Sequence, residues 1–117
     1  MDASVESSSY CMVVTTAPDR QVAENLAVGI LGNRLAACVQ MGEIRSYFLW
    51  DGALQKENEV VLSIKTTGKR YAALESYIRD HHPYDVPEII KLPVTGGLPD
   101  YLAWLDSSTE ENSKTNE

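Results

Sequence analysis

The sequence predicts a single α+β domain, and three observations support this. Short apolar segments typical of strands alternate with two segments of helical periodicity, and glycine, proline or Asp-Gly breaks separate them. At 117 residues the chain is long enough for one buried core and too short for two. Its hydrophobic content of 44% is normal for a globular protein.

The first strand and the first helix come from the segment between residues 10 and 33. Tyr10 to Thr16 is short, apolar and β-branched, which is typical of a buried strand. Thr16-Ala17-Pro18-Asp19 then predicts a helix start, because it offers a side-chain cap and acids in the first turn. Gly32-Asn33 is expected to end the helix in the left-handed conformation. The apolar positions that recur at helical spacing are Val22, Leu26, Ala27, Ile30 and Leu31.

A long hairpin is predicted next. Leu35 to Met41 and Ile44 to Trp50 are strand-like runs on either side of Gly42. Asp51-Gly52 is a strong two-residue hairpin signal, since glycine readily takes the positive φ that such turns need. In the returning strand, Glu57 to Thr67, apolar and polar residues alternate, so one face should lie on the core.

The last elements complete a recognisable order. Gly68 breaks the strand, and a helical pattern then runs to His81-His82. Val86 to Val94 is a further strand, and its prolines indicate an edge position. Pro99 to Leu105 predicts a short final helix. Strand, helix, strand, strand, helix, strand is the split βαβ pattern of ferredoxin-like domains.

The hairpin extends beyond what a compact four-stranded sheet can cover. Its end carries four consecutive apolar residues, Tyr47 to Trp50. An uncovered aromatic strand is normally an interface or an aggregation hazard. The sequence therefore predicts a homo-oligomer.

Composition restricts the surroundings and partners of the protein. The net charge of −7 arises mostly at the chain ends, and no basic stripe indicates nucleic acid. No apolar run approaches the ~20 residues that span a bilayer, and no signal peptide is evident, so we expect a cytoplasmic protein with reduced cysteines. We predict disordered ends at residues 1–8 and 107–117, flanking a domain at 9–106.

The two histidines are adjacent, at the point where a helical pattern meets Pro83. Imidazole suits copper, zinc or nickel, so His81 and His82 are candidate metal ligands. A histidine in a last helical turn also complements the exposed carbonyls, and neighbours on a helix point about 100° apart. The residues alone leave both interpretations open.

The combination of segments resembles the CutA family of divalent-cation tolerance proteins, over nearly all of Met12 to Leu105. The matching segments are Thr16-Ala17-Pro18-Asp19, Leu35-Ala36-Ala37-Cys38-Val39, Tyr47 to Gly52, Ile64-Lys65-Thr66-Thr67, His81-His82-Pro83-Tyr84 with Pro87-Glu88, and Tyr101-Leu102-Ala103-Trp104-Leu105. The resemblance implies a trimer of ferredoxin-like subunits packed through the hairpin strands, with a shape similar to the PII signalling proteins. It also implies tolerance to copper and other divalent metals.

The resemblance further implies copper ligands at His81 and His82 together with a cysteine, and here the chain departs from the family. Thr15 stands where the family has that cysteine, just before Thr16-Ala17-Pro18-Asp19. Cys11 lies four residues earlier, about 13 Å away along a strand, so it cannot replace it directly. Without a thiolate, the imidazoles should favour Cu²⁺ or Zn²⁺.

The PII-like shape implies a second kind of site, a cleft between subunits that binds a small anion. Lys65 could contact the ligand, although a cross-strand ion pair with a nearby acid is the more ordinary use for it. Glu59 and Glu88 could form a carboxylate pair or merely lie on a solvated face, and Trp50 and Tyr84 could wall the cleft or pack between subunits.

We therefore carry three functional hypotheses. The first is a homotrimer that binds copper or a similar divalent ion and contributes to metal tolerance. The second is a PII-like signalling or scaffold module with an anionic ligand, and the third is a structural trimer recognised by a partner protein. Nucleophile elbow, P-loop and dinucleotide motifs are missing from the sequence, so we do not expect an enzyme.

Overall fold

The computed structural model describes residues 9–111, and the remaining residues at the two ends lie outside this range. The predicted disordered ends therefore fall mainly outside the described residues. The elements are β1 (Tyr10–Ala17), α1 (Arg20–Gly32), β2 (Cys38–Trp50), β3 (Ala53–Thr67), a 3₁₀ turn (Gly68–Arg70), α2 (Tyr71–His81), β4 (Ile89–Pro93) and α3 (Pro99–Ser108). The predicted α+β class and element order are confirmed.

One antiparallel sheet of four strands, in the order β2-β3-β1-β4, organises the domain. Its core-facing residues on β1 and β3 alternate along each strand, as the sequence pattern requires. They pack against α1 and α2 in one buried cluster that includes Val13, Leu62, Ile64, Leu26 and Leu74. As predicted from its prolines, β4 is an edge strand.

The start of α1 follows its sequence signal except that no acidic residue lies in the first turn, and the end of α1 does not follow its signal. Asp19 is the N-cap, and its carboxylate accepts a hydrogen bond of 2.9 Å from the Val22 amide. The left-handed residue after the helix is Arg34, with φ of 56°, whereas Asn33 has φ of −95°. The prediction of a left-handed Gly32-Asn33 was wrong. The Arg34 carbonyl accepts a hydrogen bond of 3.1 Å from Arg70 Nε.

The hairpin is longer and more regular than the sequence indicated. Gly42 does not interrupt β2, which is one strand from Cys38 to Trp50, paired along its whole length with β3. Asp51 and Gly52 have φ of 53° and 76°, which confirms the predicted two-residue turn. Since β1 ends opposite Val60, the hairpin beyond that pair has only two strands. We call residues 44–59 the ribbon.

Other boundaries also differ from the prediction, since β2 begins at Cys38 rather than Leu35 and β3 at Ala53 rather than Glu57. β4 begins at Ile89 rather than at Val86, and Val86 is 80% exposed. α3 continues to Ser108, beyond both the expected end at Leu105 and the predicted domain end at 106. The C-terminal carbonyls of α3 have partners, because the Thr109 hydroxyl donates to Leu105 O at 2.9 Å and Arg34 Nη1 donates to Ser108 O at 3.3 Å.

Candidate functional site

The two adjacent histidines have different surroundings because α2 ends between them. His81 is the last residue of the helix, and His82 is the C-cap with φ of −92° and ψ of 140°. A residue that precedes proline is driven out of the helical region, so Pro83 forces this change of direction. The His82 ring is therefore carried away from the helix while His81 stays on it.

His82 uses both ring nitrogens inside the protein. Nε2 lies 2.7 Å from the Thr16 carbonyl oxygen, and Nδ1 accepts a hydrogen bond of 3.1 Å from the Tyr84 amide. Because a carbonyl can only accept, Nε2 carries the proton and Nδ1 is the acceptor. The ring joins the end of β1 to the loop after α2, and both its nitrogens are already in use.

His81 has one nitrogen in use. Its Nδ1 lies 2.8 Å from the carbonyl oxygen of Tyr77, one helical turn earlier, so Nδ1 donates. The ring stacks on Tyr77 with centroids 3.9 Å apart and an interplanar angle of 21°. The residue is exposed, and its Nε2 keeps a lone pair. Metal-binding histidines commonly donate their other ring N–H in this manner.

The cysteines add little to this pair. Thr15, at the position where a cysteine was expected, is completely buried, and its hydroxyl is without a hydrogen-bond partner among the described residues. Cys11 is also completely buried, and this burial raises the pKa of its thiol. Because position 15 is a threonine and the Cys11 thiol is buried with a raised pKa, neither residue offers the histidines a thiolate ligand. Within residues 9–111, no three His, Cys, Asp or Glu side chains are grouped to hold a metal ion.

Glu59 and Tyr84 form a second polar cluster where the ribbon leaves the four-stranded sheet. The Glu59 carboxylate accepts hydrogen bonds from the Tyr84 hydroxyl at 2.9 Å and from the Ser46 hydroxyl at 2.6 Å. Partial burial and the bond to Glu59 raise the pKa of Tyr84 to about 12. The loop that carries His82 and Tyr84 is thus attached to both β1 and β3.

An open cleft of about 520 Å³ lies beside this cluster, between the start of α1 and the ribbon. Glu59 lines it together with Asp19, Arg20, Glu43, Arg45 and Asn58. Arg20 pairs with Glu43, and Arg45 Nε donates to Asn58 at 3.4 Å. Since the two arginines already have partners and three carboxylates line the walls, the cleft has no excess positive charge.

The other candidate cleft residues lie apart from Glu59 and Tyr84. Lys65 is six positions from Glu59 on β3, about 20 Å along the strand, and lies across from Met12 and Cys38. The ion pairs of residues 9–111 do not include Lys65. Trp50 pairs with Ala53 at the tip of the ribbon, and Glu88 is exposed just before β4. Of the five predicted cleft residues, the structure therefore brings Glu59 and Tyr84 together and leaves Lys65, Trp50 and Glu88 apart.

Sequence reasoning missed three residues of these clusters. Tyr77 was not predicted to contact His81, although its position four residues before His81 is a signal for a stacked ring and a carbonyl bond. Ser46 reaches Glu59 only through the hairpin register, and Thr16 meets His82 across 66 positions of sequence. Neither of these contacts has a local signal.

Fold and site together define a small α+β protein with a long apolar hairpin and one exposed imidazole at a helix end. The family model described as CutA1 divalent ion tolerance protein matches residues 11–108. The chain belongs to the CutA divalent-cation tolerance family.

Relatives and solved structures agree with this assignment. The divalent-cation tolerance protein CutA of Yersinia pestis (strain Pestoides F) is 45% identical over 105 residues, covering 89% of this chain and 88% of that protein. The CutA1 crystal structure from Oryza sativa has a TM-score of 0.86 at 38% identity, covering 91% of this chain and 98% of that one. A structure from Archaeoglobus fulgidus, titled a periplasmic divalent cation tolerance protein CutA, has a TM-score of 0.85 at 32% identity, covering 86% and 99%. Among the described residues, no helix is long and apolar enough to cross a membrane.

Proposed function

We propose that the protein is a homotrimeric, cytoplasmic divalent-cation tolerance protein that binds Cu²⁺ or a similar ion at the exposed imidazole of His81. The observation that carries this proposal is the arrangement of the His81 ring. Its Nδ1–H is held by the Tyr77 carbonyl, which leaves the lone pair of Nε2 available on an exposed residue. An imidazole whose tautomer is fixed in this way is a prepared ligand for a borderline metal.

The donor set of one subunit fits a weakly held ion rather than a closed structural site. His81 offers one nitrogen, and His82 can coordinate only after giving up a hydrogen bond to Thr16 or Tyr84. Structural zinc sites use four protein ligands, which residues 9–111 of one chain do not bring together. Water or another subunit would complete the coordination, so the ion behaves as cargo rather than as a resident cofactor.

The proposed trimer is supported by the exposure of the ribbon. Tyr47, Leu49, Trp50 and Leu54 are each more than 60% exposed. Such a patch on a two-stranded extension is what an interface between copies of the chain would cover. The sheet order β2-β3-β1-β4 supports a ferredoxin-like subunit, and packing of three hairpins would give the PII-like shape.

An enzymatic role is not part of the proposal, and the anionic cleft ligand is less well supported. The cleft next to Glu59 is lined by three carboxylates, and Lys65 lies about 20 Å away along β3. Since the three carboxylates outnumber Arg20 and Arg45, an anion would meet net negative charge in the cleft.

Calorimetric titration of Cu²⁺ at pH 7.5 and pH 5.5 tests the metal proposal directly. Wild-type protein should bind about one ion per subunit at pH 7.5 and lose this binding at pH 5.5, because a protonated imidazole cannot coordinate. His81→Ala should abolish binding, and His82→Ala should weaken it less. Equal binding by wild type and the double variant His81→Ala/His82→Ala would remove the histidine pair from the function. Light scattering in the same buffers tests the trimer.

A further inference from the structure

Tyr77 contacts His81 in two ways, and both fix the direction of the same ring. Its carbonyl accepts the Nδ1–H bond at 2.8 Å, and its aromatic ring stacks on the imidazole at 3.9 Å. The first contact selects the tautomer, because Nε2 then carries the lone pair. The second limits rotation of the side chain, since an offset stack is retained only in a narrow range of ring orientations.

Tyr77 is in turn held by a glycine of the neighbouring helix. A Cβ atom built on Gly29 of α1 would lie 2.8 Å from Cζ of Tyr77 and collide with its hydroxyl oxygen. Any side chain at position 29 therefore requires the Tyr77 ring to move. The contact is specific to this glycine, because a Cβ atom at Gly32, three residues further along α1, meets nothing within 4 Å.

From these contacts we infer that Tyr77 is the positioning residue for His81, and that Gly29 is the residue that permits it. Gly29 leaves space for the Tyr77 hydroxyl, the Tyr77 ring and carbonyl orient the His81 imidazole, and Nε2 of His81 is presented to the ion. The inference deepens the proposed function and rests on it for the identity of the ligand. According to this inference, a contact between α1 and α2, outside the histidine pair itself, determines the orientation of the His81 imidazole.

Gly29→Ala and Gly32→Ala make a matched pair for testing this chain of contacts. Both add one methyl group to α1, and neither glycine has a positive φ. Only the methyl group at position 29 displaces Tyr77. Tyr77→Phe retains the ring and the carbonyl, so it should leave His81 in place. The double variant Gly29→Ala/Tyr77→Phe removes the hydroxyl from the collision and should restore part of the wild-type behaviour.

The first readout is the tautomer of His81 in metal-free protein at pH 8, from the ¹⁵N shifts of the imidazole nitrogens. Wild type, Gly32→Ala and Tyr77→Phe should all show the Nδ1–H form. Gly29→Ala should show a mixture of tautomers. Because no metal is present, this result tests the positioning role even if Cu²⁺ proves not to bind to wild type.

The second readout is Cu²⁺ affinity by calorimetry. Loss of a hydrogen-bonded support commonly lowers metal affinity about 10–100-fold, so Gly29→Ala should bind at least about tenfold more weakly than Gly32→Ala. Should Gly29→Ala fail to fold, Tyr77→Leu removes the stack without adding an atom to α1. The backbone carbonyl of position 77 is retained, but the unstacked imidazole can rotate away from it, so the same mixture of tautomers is expected. The inference would be overturned if Gly29→Ala, or Tyr77→Leu in its place, kept the Nδ1–H tautomer and bound Cu²⁺ as tightly as Gly32→Ala does.

Discussion

Two parts of the same hairpin have opposite surroundings. In the four-stranded part, β3 lies between β2 and β1 beneath the helices, and Leu62 and Ile64 are completely buried. In the ribbon, the same two strands have no third neighbour, and Leu49 and Leu54 are 73% and 61% exposed. Both parts carry apolar side chains and are regularly paired, so pairing is a property of the strands whereas burial depends on what covers them.

The comparison indicates how each part is stabilised. Burial of a Leu side chain contributes roughly 1.5–3 kcal/mol in the four-stranded part. The ribbon has only backbone pairing, cross-strand contacts and its turn, and a two-stranded hairpin is marginal in water by itself. Its stability should therefore depend on assembly with other copies, and four experiments test this difference.

The largest effect should come from a charge on the ribbon. Leu49→Glu places a carboxylate in the proposed subunit interface, where desolvation of the charge is costly, so the trimer should dissociate. Val28→Glu on α1 is the matched control, because Val28 is 72% exposed and Leu49 is 73% exposed. Molar mass by light scattering should fall only for Leu49→Glu. Equal masses for the two variants would place the interface elsewhere.

A cavity in the four-stranded part should have the next largest effect. Leu62→Ala removes a completely buried side chain and should lower the free energy of unfolding by about 2–5 kcal/mol. Leu54→Ala removes the same group from the ribbon and should change the unfolding of a dissociated subunit by less than about 0.5 kcal/mol. Urea denaturation in the Leu49→Glu background measures the free energy of unfolding of both variants. Similar losses for Leu62→Ala and Leu54→Ala would contradict the difference between the four-stranded part and the ribbon.

The turn of the ribbon should matter at an intermediate level. Gly52 has φ of 76°, so Gly52→Ala should cost about 1–2 kcal/mol. Gly96→Ala is the control, since a Cβ atom there meets nothing within 4 Å and its φ is not positive. Thermal unfolding should separate the two variants, and equal melting temperatures would mean that the ribbon tolerates a distorted turn.

The smallest effect concerns Tyr84, which joins the ribbon to the loop of the histidines. Its pKa is raised to about 12 from an ordinary value near 10, so the folded state holds this proton more tightly. The stabilisation from Tyr84 is therefore complete below pH 10 and is lost as the pH rises from about 10 to 12. Tyr84→Phe should make the free energy of unfolding less dependent on pH over that range. Tyr47→Phe, at a residue that is 61% exposed, should not have this effect. Absorbance titration at 295 nm with parallel melting curves measures the shift, and matching curves for the two variants would contradict it.

Much of the fold could be predicted from local sequence. The capped helix start within Thr16-Ala17-Pro18-Asp19, the Asp51-Gly52 turn and the alternation on β3 each have a mechanism that acts within a few residues. The incorrect predictions of helix ends concern positions where residues far away in the sequence contact the backbone. Arg34 takes the left-handed conformation beside Arg70, and the carbonyl of Ser108 at the end of α3 accepts a bond from Arg34.

The candidate site divides in the same way. By itself, the sequence determined that the histidines are adjacent, that they end a helix and that Pro83 turns the chain after His82, because these effects act between neighbours. Only the tertiary structure decided that His82 meets the Thr16 carbonyl and that Gly29 leaves space for the ring beneath His81. Those contacts depend on sheet register and helix packing, which bring together residues that are far apart along the chain.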